Sequence, residues 1–122
     1  MSTQPRGLLL CDDLLFTSRI TGTARAMNVS MKPARSVDEL RTLAQGQLPQ
    51  AVILDLANPG LVISDLIAWL KDHCTPMPFV VGYGSHVDTA TLKTAREAGC
   101  DVVLPRSKFV EDLPNKLLEW MR

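Results

Sequence analysis

Residues 7–16 read GLLLCDDLLF, and the fold turns on how this stretch is divided. The run LLLC (8–11) has the length and unbroken apolar character of a strand buried on both faces. Phe16, Ile20, Ala24 and Met27 then recur at helical spacing, so the next element is a helix. Between the two stand Asp12 and Asp13, adjacent like charges at the carboxyl end of the predicted strand. Acidic residues there serve a helix amino terminus, where they complement the dipole, or they form part of a charged site.

Outward from this stretch the alternation repeats. NVSMKPA (28–34) places Val29 and Met31 in strand-like alternation, and Pro33 suits an edge strand. Ser36 with Glu39 forms a capping box opening a helix to about Ala44. AVILDL (51–56) is a strongly buried strand ending in Asp55. NPG (58–60) breaks the chain before LVISDLIAWLKDH (61–73), where Val62, Leu66, Trp69 and Leu70 share one face. PFVVGY (78–83) is the fourth strand. Ser85 with Asp88 reads as an N-cap pair for a helix directing Val87, Leu92 and Ala95 to the core and ended by Gly99. CDVVLP (100–105) is the fifth strand. A short final helix carrying Leu113, Leu117, Trp120 and Met121 is expected to begin near Asp112, because Pro114 fits a first turn.

Five buried strands alternating with five helices predict an α/β protein: one domain over residues 1–122 with a doubly wound, flavodoxin-like parallel sheet in the order 2-1-3-4-5. A chain of 122 residues, 46% hydrophobic and 21% charged, can bury one core without staples. Thirteen basic residues balance thirteen acidic ones, which argues against nucleic acid as a partner. MSTQPRG (1–7) has no apolar signal core and no run is long enough to span a bilayer, so a cytoplasmic protein without membrane contact is expected. Cys11, Cys74 and Cys100 lack metal spacing and read as reduced thiols.

In the predicted strand order, Asp12, Asp13 and Asp55 meet outside the carboxyl ends of the strands, where ligand sites of such sheets lie. Three close carboxylates need protons or a cation to offset their repulsion, and an all-oxygen set suits Mg²⁺. Ser85, His86 and Asp88 do not make a hydrolase triad, since consecutive residues at a helix start diverge. His86 and His73 read as surface residues. Gly82 and Gly84 lack the spacing and lysine of a phosphate-cradling loop. An enzyme is therefore not expected.

These motifs together resemble the receiver domains of two-component response regulators over nearly the whole chain. LLCDDLLFTSRI (9–20) is similar to the family's first strand, acidic pair and helix opening. ILDLANPG (53–60) is similar to its phosphoacceptor strand and loop, and AGCDVVLPRS (98–107) to the stretch leading to its lysine. The resemblance implies Asp55 as phosphoacceptor, Asp12 and Asp13 as metal-binding acids, and Ala57 as the donor of a backbone carbonyl to the same Mg²⁺. Arg106 stands in place of the family lysine, keeping its charge but not its geometry. The switch position of the family, a small hydroxyl residue, falls on Tyr83 counting from Pro78 and on Gly84 counting back from Gly99, with Ser85 the nearest hydroxyl. The implied role is that of an atypical receiver in signal transduction acting by protein–protein contact, without an output domain of its own. Its partners would be a histidine kinase, a phosphotransfer protein, an effector or a second copy. The alternative is a phosphorylation-independent pseudo-receiver that docks a partner or dimerises, with Arg106 as an internal counter-ion to Asp55.

Overall fold

A computed structural model describes residues 4–121. The amino-terminal part of MSTQPRG and the expected domain bounds at 1 and 122 lie outside the described residues. Ten elements follow in strict alternation: β1 Arg6–Leu10, α1 Leu14–Ala26, β2 Ser30–Ala34, α2 Val37–Gly46, β3 Ala51–Asp55, α3 Ile63–His73, β4 Phe79–Gly84, α4 Thr89–Ala98, β5 Val102–Pro105 and α5 Arg106–Trp120. All strand pairs are parallel and the sheet order is β2-β1-β3-β4-β5. The expected doubly wound architecture is the one observed. No helix among the described residues is long and apolar enough to cross a membrane.

Strand alternation divides the core between the two faces of the sheet. Leu9, Cys11, Ile53, Val81 and Tyr83 point to one face and pack with Ile20 and Ala24 of α1 and Phe109, Leu113 and Leu117 of α5. Leu8, Leu10, Val52, Leu54 and Val80 point to the other, against Leu40 of α2 and Leu66 and Leu70 of α3. A smaller group of Leu92, Ala95 and Val103 seats α4. Pro33 lies in β2, the edge strand, where a missing N–H is tolerated.

Helix starts follow local chemistry. Asp13 is the N-cap of α1, its Oδ1 accepting the Phe16 N–H at 3.1 Å. Ser36 caps α2 by accepting the Glu39 N–H at 3.2 Å, and that helix runs on to Gly46. For α4 the expected Ser85–Asp88 pair is corrected. Asp88 alone is the N-cap, accepting the Thr91 N–H at 3.2 Å, and hydrogen bonding from the Thr91 side chain together with that N–H holds its carboxyl below the usual range. Ser85 Oγ instead accepts the Val87 N–H within the preceding turn. Helix α4 thus starts at Thr89, after Val87, which is exposed rather than in the core. Val62 is likewise the exposed N-cap of α3, and the buried face of that helix is Leu66, Ile67 and Leu70.

The largest correction concerns α5, which begins at Arg106 and carries Pro114 in its interior. The stripe Phe109, Leu113, Leu117 and Trp120 buries all four side chains. At roughly 1.5–3 kcal/mol for each large apolar side chain, that burial outweighs the roughly 3 kcal/mol cost of an interior proline. Pro114 lies on the exposed face, where water can serve the carbonyl that loses its amide partner. Gly99 ends α4 at φ +113°, a left-handed conformation a side chain would strain.

Candidate functional site

Asp55 is the last residue of β3 and is 4% exposed. The two-residue period that turns Ala51 and Ile53 toward α1 and α5 also turns Asp55 that way, and β4 places Tyr83 directly opposite it in the register. Of the two positions counting leaves open, Tyr83 is thus the one beside Asp55 on the same face. Gly84, one residue on, pairs with Pro105 and is turned to the opposite side, facing Leu92 and Leu56.

Each oxygen of the Asp55 carboxylate has a neighbour. Oδ1 accepts the Ala57 N–H at 2.9 Å. Oδ2 lies 3.9 Å from Arg106 Nη2 and receives the Cys11 thiol at 3.8 Å. The Arg106 side chain is 47% exposed, so its pairing with Asp55 is long and loose. Its guanidinium is also held over aromatic rings, 5.2 Å from the centre of Phe16 and 5.9 Å from that of Tyr83.

Tyr83 is fully buried in an aromatic row. Its ring stacks on Phe109 at 4.6 Å and meets Phe16 at 5.2 Å, and Phe109 stacks in turn on Trp120 at 5.9 Å. The Tyr83 hydroxyl has no partner that meets hydrogen-bond geometry. Burial pushes its pKa far up, helped by the adjacent Cys11 thiol and the Asp55 charge. Gly82 and Gly84 flank it because Leu56 curls beneath the strand: a Cβ at Gly82 would stand 3.1 Å from Leu56 Cδ2. Ser85, Ala57 and His86 are exposed on the loops above.

Asp12 and Asp13 follow β1 at the same end of the sheet as Asp55, which ends β3. Asp12 and Asp13 are both exposed, and an Asp13 oxygen is engaged in capping α1. Among the described residues no three acidic, histidine or cysteine side chains converge as metal ligands. The cation that approaches Asp55 among the described residues is Arg106. Sequence reasoning passed over three members of the site. Phe16 was read only as a helical apolar position, Cys11 only as a small core residue, and Phe109 was hidden by the late start assigned to the final helix.

No family profile and no curated protein sequence matches this chain. Solved structures do match in shape. The receiver domain of NtrX from Brucella abortus superposes with a TM-score of 0.80 at 18% identity, covering 94% of this chain and 97% of that one. A CheY-like response regulator receiver domain protein from Methanospirillum hungatei gives 0.82 at 15% identity, covering 98% and 94%. The co-crystal structure of the Saccharomyces cerevisiae phosphotransfer protein Ypd1 with the receiver domain of Ssk1 gives 0.81 at 16% identity, covering 97% and 89%. The fold of this chain is that of the response-regulator receiver domain, and Asp55 lies at the end of its central strand.

Proposed function

We propose that this chain is an atypical receiver module that carries a signal by contact with another protein, in a conformation set by its own side chains rather than by phosphorylation. The observation that carries this reading is the Asp55–Arg106–Tyr83 arrangement. Arg106 already supplies a positive charge to Asp55. Tyr83, at the position beside Asp55 where a mobile hydroxyl would be needed, is fully buried and stacked on Phe16 and Phe109. Such a ring cannot follow an incoming phosphoryl group without leaving the core. The partner is a protein of a phosphorelay or an effector, by analogy with the Ypd1 complex of the Ssk1 receiver domain.

A second reading keeps Asp55 as a phosphoacceptor. Its support is the placement of a carboxylate at the end of β3 with a backbone N–H on one oxygen and a guanidinium near the other. Incubation with Mg²⁺ and acetyl phosphate, followed by intact mass and an amide NMR fingerprint, separates the two. The first reading expects no phosphate adduct and an unchanged fingerprint at β4, α4 and β5. An adduct on the wild type that disappears in Asp55→Asn, with shifts spreading from Tyr83 into α4, overturns it in favour of the second.

A further inference from the structure

A cleft of about 600 Å³ opens beside Asp55, between α1, the β4–α4 loop and the start of α5. Its size lies in the range of small-molecule sites. Its charge is one-sided in a protein whose charges balance overall. Arg19 reaches it from α1, Arg106 from α5 and His86 from the loop, and no carboxylate lines it. Neither Arg19 nor His86 has an ion-pair partner among the described residues, and Arg106 has only the 3.9 Å approach to Asp55. The acidic residues of α5 nearest its start, Glu111 and Asp112, are drawn off by Lys108.

The hydrogen-bond donors agree with that sign. Ser85 and Ser107 bring hydroxyls to the rim. Helix α5, fifteen residues long, has Pro105 at its N-cap position and no side-chain cap, so its first-turn N–H groups have no side-chain acceptor. Phe16 and Val110 supply an apolar wall, which a bare inorganic ion would leave wet. One guanidinium without an ion-pair partner, Arg19, and one held only loosely by Asp55, Arg106, favour a dianion, since the planar fork of arginine matches phosphate oxygens two at a time.

We propose that this cleft binds a small organic phosphate, non-covalently, with the phosphate between Arg19, Arg106 and the amino end of α5 and the organic part against Phe16 and Val110. The site works without phosphorylation of Asp55. It gives the receiver fold a ligand input at the place where others take a covalent one.

Phenyl phosphate is a direct probe, titrated into ¹⁵N-labelled full-length protein. Saturable shifts confined to residues around Arg19, Ser85, His86, Ser107 and Val110 are expected, and Asp55→Asn, which removes the carboxylate that competes for Arg106, should bind at least as tightly as the wild type. Arg19→Gln should weaken binding about tenfold or more, the factor attached to one charge-assisted hydrogen bond. Ser107→Glu places a carboxylate where it suits the helix dipole but opposes the ligand, so the variant should stay folded and lose binding. Non-saturating or diffuse shifts, or unchanged affinity in Arg19→Gln, would overturn the site. Inorganic phosphate binding as tightly as phenyl phosphate would overturn the organic assignment. Loss of binding in Asp55→Asn would show that the shifts reported Asp55 chemistry instead.

Discussion

Replacing Tyr83 with phenylalanine should stabilise this protein. The ring is fully buried against Phe16 and Phe109 and would keep those contacts. What changes is the hydroxyl, which is buried without a hydrogen-bond partner. An unsatisfied buried group of this kind costs roughly 1–3 kcal/mol, so its removal returns stability. The nearby Cys11 thiol is a weak partner and keeps the gain near the low end, about 1 kcal/mol. For a domain of this size that is a rise of about 4 °C in Tm. Urea denaturation should show a higher midpoint with an unchanged slope. Tyr83→Ala is the control, expected to lose about 3–5 kcal/mol through the cavity it opens.

The same residue makes a pH prediction with a defined sign. Burial holds the Tyr83 phenol above its ordinary value of 10.0 in the folded state. Above pH 10 the unfolded chain loses this proton while the folded chain keeps it, so stability is intact below that pH and falls above it. The slope attributable to one such group is about 1.4 kcal/mol per pH unit. Because Tyr83 is the only tyrosine, tyrosinate absorbance should appear together with unfolding and not before it. The difference between wild type and Tyr83→Phe isolates this contribution from the lysines and cysteines. A Tyr83→Phe variant less stable than wild type by 1 kcal/mol or more, or a tyrosinate signal from folded protein near pH 10, would refute the view of an unpartnered, immobile ring.

Other perturbations test the remaining parts. Asp13→Ala should cost about 1 kcal/mol in chemical denaturation through loss of the α1 cap, whereas Asp13→Asn, which still accepts the Phe16 N–H, should cost much less; equal losses would show that charge rather than capping matters. Arg106→Gln should change stability by less than about 1 kcal/mol, since its pairing with Asp55 is long and half exposed. Gly99→Ala should destabilise by about 1 kcal/mol, because φ of +113° is hard for a side chain to adopt. In thiol-labelling kinetics Cys100, pushed up to about 11 by burial and by the Asp101 charge, should react far more slowly than a free thiol at pH 8.

The order and type of elements were legible because each strand is a short apolar run bounded by polar or turn residues, and each helix shows its period. The boundaries that failed share one cause. Pro114 and the Ser85–Asp88 pair were judged by local rules, whereas Phe109 and its stripe secure α5 from Arg106 onward, and the Thr91 N–H selects Asp88 over Ser85. Tertiary burial and one specific backbone bond overrode propensity. In the site, Asp55, Arg106 and the pair Tyr83 or Gly84 could be named from the resemblance to receiver domains, but Cys11, Phe16 and Phe109 could not. Nothing along the chain marks which apolar side chains lie under a charged one.

The sequence by itself determined the parallel five-stranded sheet and the placing of Asp12, Asp13 and Asp55 near its carboxyl edge, because periodicity and the handedness of crossovers leave little freedom. Only the tertiary structure decided what surrounds those acids. Strand register put Tyr83 rather than Gly84 beside Asp55, the α1 cap drew on Asp13, and the early start of α5 brought Arg106 to the remaining carboxylate. Those outcomes depend on distances of a few ångströms between residues dozens of positions apart. Such distances are set by how the two faces of the sheet pack, and no local pattern of residues encodes them.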